Sequence, residues 1–260
     1  MTSGILNLFR LNDKRALITG ANGGIGGAMA VALAEAGASI VILQIPGDTN
    51  TSTKDELIAL SAEFSVYDCD LTSVSNIRET VKKIIDEDGI PIDILINCAG
   101  VSGHKPILDV DDTFREKVFN VNMTANYVIT QEVGRRMIER GKGGKILNVS
   151  SLAGMLATKN ISAYAGTKGA VNQFTSAFAN EWAEHNIQVN CLCPGYILTS
   201  LTRGYFENEP GFKDYIMSRT PMGRWGTPED FRGITLFFCS KASDYITGVR
   251  MPIDGGLHGR

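Results

Sequence analysis

Tyr164 and Lys168 stand four residues apart in the run Ser162-Ala163-Tyr164-Ala165-Gly166-Thr167-Lys168. On a helix that spacing puts both side chains on one face, one turn apart. A phenol left to itself titrates near ~10 and carries protons poorly at neutral pH. A fixed cation beside it favours the ionised form and makes it a usable acid or base. Ser151 lies thirteen residues before the tyrosine, in Asn148-Val149-Ser150-Ser151. The bland alternative is a surface pair with a snorkelling lysine, and the four-residue spacing alone does not exclude it.

The elements around these residues alternate. Ala16-Leu17-Ile18-Thr19 is a short apolar run, followed by a glycine-rich turn and then Ala28 to Ala36, rich in helix formers and stopped at Gly37. Ser39 to Leu43 is short and β-branched. Further strands are predicted at Phe64–Tyr67, Ile92–Ile96, Lys145–Val149, Ile187–Leu192 and Arg250–Ile253. Helices are predicted at Val74–Asp88 with Ser73 or Ser75 as cap, at Asp111–Arg140, at Ala163–His185 and at Ile234–Ser240. Apolar strands alternating with helices predict an α/β chain: a doubly wound parallel sheet of about seven strands, covered on both faces. No linker or repeat divides the chain, so one domain is expected over 1–260. The stretch Thr199 to Thr227 reads as an irregular loop because it holds Gly204, Pro210, Gly211, Pro221, Gly223 and Gly226.

The turn Gly20-Ala21-Asn22-Gly23-Gly24-Ile25-Gly26 joins a predicted strand to a predicted helix. Glycines let a backbone approach a ligand closely, and a helix N-terminus offers free N–H groups to a pyrophosphate. The second strand ends at Gln44, where dinucleotide-binding folds often carry an acid for the adenosine ribose. Gln44 can hydrogen-bond but bears no charge, and no Arg or Lys lies close by in the sequence. A 2′-phosphate wants a basic partner, so NAD is favoured over NADP. Asp70 follows the third strand and either meets the adenine amine or caps the next turn.

Composition excludes other classes. The formal net charge is −3 over 260 residues, with no basic excess to draw nucleic acid or an anionic membrane. The five cysteines, Cys69, Cys98, Cys191, Cys193 and Cys239, have neither metal-ligand spacing nor an even count. They read as buried free thiols in a reducing compartment. No secretory signal or membrane span is visible, which fits a soluble cytoplasmic protein.

Taken together the motifs resemble the short-chain dehydrogenase/reductase family over nearly the whole chain. Thr19-Gly20-Ala21-Asn22-Gly23-Gly24-Ile25-Gly26 resembles its cofactor turn, and Asn97-Cys98-Ala99-Gly100 its Asn-x-Ala-Gly, with Cys where Asn is more usual. Asn122, Ser151, Tyr164 and Lys168 match its catalytic set; Pro194-Gly195, Thr199 and Asp254-Gly255-Gly256 match its later loops. The resemblance implies an NAD(P)-dependent enzyme that interconverts a secondary alcohol and a ketone. Ser151 would bond the substrate oxygen, and Tyr164 would give or take its proton. Lys168 would favour the phenolate and bond the nicotinamide ribose, and Asn122 would hold a relay water. Cofactor contacts are implied at Gly20, Asn22, Gly24, Ile25 and Gly26 in the turn. They are implied also at Gln44, Asp70 and Leu71, at Asn97, Ala99 and Gly100, and at Pro194, Gly195, Ile197 and Thr199.

Substrate is less legible. The pocket is expected between Ser102–Ile107, Leu152–Asn160, Tyr196 and the 199–227 stretch, with His104, Lys105, Lys159 and Arg203 as nearby basic groups. A carboxylate-bearing sugar would suit them, and the overall resemblance leans toward gluconate and deoxygluconate dehydrogenases. Family members form homotetramers through their two long helices. Val171, Phe174, Phe178 and Trp182 suit such a face or an ordinary core. Two other classes share part of the pattern. A nucleotide-sugar epimerase or dehydratase also uses Tyr-x-x-x-Lys but differs in length and turn spacing. A dinucleotide-sensing protein would not need the Ser151, Tyr164, Lys168 set.

Overall fold

The computed structural model describes residues 4–208 and 211–259. Its strands are β1 (Arg15–Thr19), β2 (Ser39–Gln44), β3 (Phe64–Asp68), β4 (Ile94–Asn97), β5 (Gly144–Val149), β6 (Ile187–Pro194) and β7 (Arg250–Ile253). They form one sheet in the order β3-β2-β1-β4-β5-β6-β7, and every pairing is parallel. The order reverses between β1 and β4, which opens a crevice at the carboxyl ends of those two strands. This is the doubly wound Rossmann fold.

The helices are α1 (Gly24–Glu35), α2 (Ser52–Ala59), α3 (Val74–Lys82), α4 (Asp112–Phe119), α5 (Ala125–Arg140), α6 (Ser162–Trp182), α7 (Arg203–Asn208), α8 (Phe212–Arg219) and α9 (Arg232–Cys239). Successive strand residues point to opposite faces. On one face Ala16, Ile18, Ile40, Ile42, Ile94 and Ile96 share a core with α1 and α9. On the other, Leu17, Val41, Leu43, Leu95 and Ile146 pack with α3, α5 and α6. With both faces covered, the strands need apolar runs rather than alternation, as the sequence shows.

Several elements differ from expectation. α2 was not foreseen, because only Thr53 and Leu57 of it are buried and no apolar stripe marks it. The predicted helix over 74–88 ends its regular part at Lys82 and closes in a π turn, Lys83–Glu87; Ser73 is its cap, accepting from Asn76 N–H. The long helix over 111–140 is broken by a π turn, Asn120–Thr124, in which Ala125 N–H reaches back to Asn120 O. The stretch over 199–227 is not irregular: it carries α7 and α8, the latter opened by Gly211 at φ +75°. Pro210 lies outside the described residues. The last helix begins at Arg232, behind a capping box in which Thr227 and Asp230 satisfy each other's backbone.

Candidate active site

The glycine turn is held by contacts that only glycine permits. Gly20 has φ +70°, and a side chain there would meet the Ala99 backbone at 2.8 Å. A β-carbon on Gly26 would lie 2.2 Å from Gly20 O. Thr19 Oγ1 accepts from both Cys98 N–H and Ala99 N–H at 3.1 Å, tying the end of β4 to the turn. Gly23 provides no side-chain cap for α1, so the first N–H groups of that helix stay available to an anion.

Tyr164 and Lys168 leave one face of α6, as their spacing predicts, with Lys168 Nζ 5.7 Å from the centre of the Tyr164 ring. Lys168 is 4% exposed and donates to Val149 O at 2.9 Å. Ser150 Oγ in turn donates to Lys168 O at 2.9 Å, locking the helix to the end of β5. Ser151 sits at that same end, and its Oγ accepts from Ala153 N–H at 3.1 Å. That bond orients the hydroxyl and leaves its proton to donate elsewhere. Ser151, Tyr164, Lys168, Gly20, Gly24, Ile25, Gly26, Ala99, Gly100, Pro194, Gly195, Ile197 and Thr199 all line one cavity of about 220 Å³.

Asn122, Asn97, Gln44, Asn22, Asp70 and Leu71 lie outside that lining. Asn122, on the π turn, accepts from Val101 N–H and donates to Val101 O, each at 2.8 Å, and reaches Thr167 Oγ1 at 3.4 Å. Its side chain fixes the loop after β4. Asn97 is buried and donates to Thr130 Oγ1 at 2.9 Å and Asn148 Oδ1 at 3.0 Å, inside a network that Asn126 and Thr175 extend. Asp70 caps the turn after β3: Thr72 N–H and Oγ1 both donate to its Oδ1, and these bonds hold its carboxyl below the usual range. Leu71 packs against the second core.

Gln44 is not isolated from basic groups. Lys54, on the unforeseen α2, places Nζ 3.4 Å from Gln44 Oε1, which corrects the expectation of no nearby cation. Asn22 Nδ2 donates to the same oxygen at 3.1 Å, and Gln44 Nε2 donates to Asp68 at 2.8 Å. Two of the four basic groups expected at the substrate side are already paired. Lys105 meets Asp111 at 2.6 Å and Arg203 meets Glu207 at 3.0 Å.

A family model described as enoyl-(acyl carrier protein) reductase matches residues 20–258. The chain is 38% identical over 252 residues to 2-dehydro-3-deoxy-D-gluconate 5-dehydrogenase of Dickeya dadantii, spanning 97% of this chain and 98% of that one. The chain belongs to the short-chain dehydrogenase/reductase family. The crystal structure of a putative gluconate dehydrogenase from Agrobacterium tumefaciens superposes with TM-score 0.91 at 37% identity, covering 96% of this chain and 98% of that one. A gluconate 5-dehydrogenase from Burkholderia cenocepacia, solved with NADP and tartrate, gives TM-score 0.89 at 36% identity, covering 99% and 100%.

As a short-chain dehydrogenase/reductase, the protein is an NAD(P)-dependent oxidoreductase, and its residues fit that group. The bare α-carbon of Gly26 and the uncapped start of α1 form a cradle that a nicotinamide dinucleotide suits. The sequence did not single out Ser150, Ser200, Leu201 and Thr202, which also line the cavity. Thr202 Oγ1 receives Thr199 N–H at 3.1 Å, so a Thr-x-x-Thr spacing was the available signal. Cys98 lines it as well; its burial pushes the thiol up to about 11, which keeps it protonated and unreactive at neutral pH.

Proposed function

We propose that the chain interconverts a secondary hydroxyl and a ketone on a sugar acid of the gluconate type. One observation carries the reading: a single cavity joins the glycine turn to Ser151, Tyr164 and Lys168. The named relatives act on gluconate-type compounds, which supports the substrate class. A bound nicotinamide supplies or takes up the hydride. Ser151, oriented by Ala153 N–H, donates to the reacting oxygen. Tyr164 gives that oxygen its proton in the reductive direction and removes it in the oxidative one. Lys168 stabilises the charge that develops on the phenol. Asn122 works as a positioning residue, because its amide already holds Val101. Lys159 is the member of the expected basic set that this reading assigns to the substrate carboxylate. A panel of sugar acids, polyols and small ketones, assayed with NADH and NADPH, tests the proposal. Turnover confined to compounds without a carboxylate would refute the sugar-acid assignment.

We propose further that the protein is a homotetramer in solution. Val171 and Phe178 belong to the core of one protomer, so the face they were expected to form is narrower. Phe174 and Trp182 remain half-buried, and Phe174 and Phe178 pack against Tyr127, which is 39% exposed on α5. This aromatic strip supports contact between the long helices of two copies. A monomeric mass in light scattering would overturn it.

A further inference from the structure

β2 ends at Gln44, and the chain then reverses. Asp48 N–H donates to Ile45 O at 3.1 Å across Pro46 and Gly47, with Gly47 at φ +78°. Proline second and a positive-φ glycine third make a type II turn. The turn returns Asp48 to the glycine loop. Its Oδ2 accepts from Asn22 Nδ2 at 2.7 Å, and its Oδ1 accepts from Asn50 N–H at 2.9 Å. The Asn22 side chain, the Asn50 amide and the Lys54 ammonium all favour its ionised form.

Asn22 is itself 7% exposed, and its Oδ1 is a buried acceptor with no donor among the described residues. Asn22 follows β1 and Gln44 ends β2, and the two strands run side by side with Thr19 opposite Leu43. The cluster therefore stands at the carboxyl edge of the sheet, next to the phosphate-binding turn, where an adenosine ribose is received.

We propose that Asp48 is the acid that receives the ribose hydroxyls of the adenosine half, in place of the uncharged Gln44, and that it makes this enzyme prefer NAD. The inference rests on the dinucleotide reading above. Two vicinal hydroxyls are donors: the carboxylate of Asp48, fixed by Asn22 Nδ2 and Asn50 N–H, is an acceptor suited to them. A 2′-phosphate has no proton to give there. It would face the Asp48 and Asp68 carboxylates, with Lys54 as the cation beside Gln44. Like charges set against it disfavour that ligand.

The test is direct binding of NADH and NADPH to the full chain, followed by nucleotide fluorescence without substrate. Reduced nicotinamide mononucleotide, which lacks the adenosine half, serves as control. The wild type should bind NADH at least about tenfold more tightly than NADPH, the scale of one charge-assisted hydrogen bond. Asp48→Ala and the milder Asp48→Asn should weaken NADH roughly tenfold and bring the two dinucleotides together. Binding of the mononucleotide should not change, which excludes a collapsed pocket. Lys54→Met should leave NADH affinity within about twofold, as expected of a contact that does not reach the ribose. Unchanged NADH affinity in both Asp48 variants would overturn the inference while leaving the dinucleotide reading intact. Tighter wild-type binding of NADPH, lost in Lys54→Met, would overturn it in favour of a 2′-phosphate on Lys54. Failure of the wild type to bind either dinucleotide would instead bring down the reading of the whole site.

Discussion

The Lys168 ammonium points at Val149 O, 2.9 Å away, from a position one helical turn beyond Tyr164. The end of β5 therefore holds the cation, and the helix holds the phenol beside it. Both depend on the docking of α6 against β5, which Ser150 secures through Lys168 O.

Tyr164→Phe removes the acid without emptying space. Turnover should fall at least about a hundredfold, the lower range for a positioned general acid, with NADH affinity unchanged. Steady-state kinetics and fluorescence titration check this. Retention of more than about a tenth of wild-type turnover is incompatible with the assigned role. Lys168→Ala should reduce both turnover and cofactor affinity.

Gly26→Ala tests the cradle. The new β-carbon would sit 2.2 Å from Gly20 O, and backbone on both sides cannot yield without opening the turn. Dinucleotide affinity should drop by about a hundredfold or more, on the scale of lost phosphate contacts. Calorimetric titration reads it. The mutant chain should still show the circular dichroism of the α/β fold.

Asn122→Ala strands Val101 N–H and Val101 O in a part-buried place. Unpaired buried groups cost about 1–3 kcal/mol, so the denaturation midpoint should fall accordingly. Because the side chain holds the loop beside Gly100, turnover should fall too. Midpoint and turnover both unchanged would remove the positioning role.

The thiols set an alkaline limit. Burial raises Cys98 to about 11 and Cys239 to about 12, against 9.0 for an unperturbed thiol. The folded chain therefore keeps protons that the unfolded chain has released. The stabilisation is fully present below pH 9 and is lost as pH rises toward 11 and 12. Denaturant titrations at pH 8 and 10 should show lower stability at the higher pH. A thiol reagent at pH 7.5 should label these two cysteines slowly in the native protein and rapidly in urea.

Much of the site was legible because it depends on local spacing. Tyr164 and Lys168 share a face since a helix repeats every 3.6 residues. Gly20 to Gly26 reads as a phosphate turn since a strand precedes it and a helix follows. What escaped was non-periodic. α2 buries two side chains and leaves no stripe, so Lys54 looked remote from Gln44 although ten residues suffice for the chain to double back. The π turn in 120–124 escaped because no periodicity marks it, and its Asn122 bonds to the Val101 backbone, 21 residues away.

The sequence by itself determined the sheet-and-helix alternation, the glycine turn and the shared helix face of Tyr164 and Lys168, because each follows from residues adjacent in the chain or one helical turn apart. Only the tertiary structure decided what Asn122, Asn97, Asp70 and Asp48 do. Each of these side chains has a few hydrogen bonds to give or accept, and which groups claim them depends on what folding brings within about 3 Å. For Asp70 the claimant is its own turn; for Asn97 and Asn122 it is a distant strand or loop; for Asp48 it is the glycine turn that β1 delivers to the end of β2.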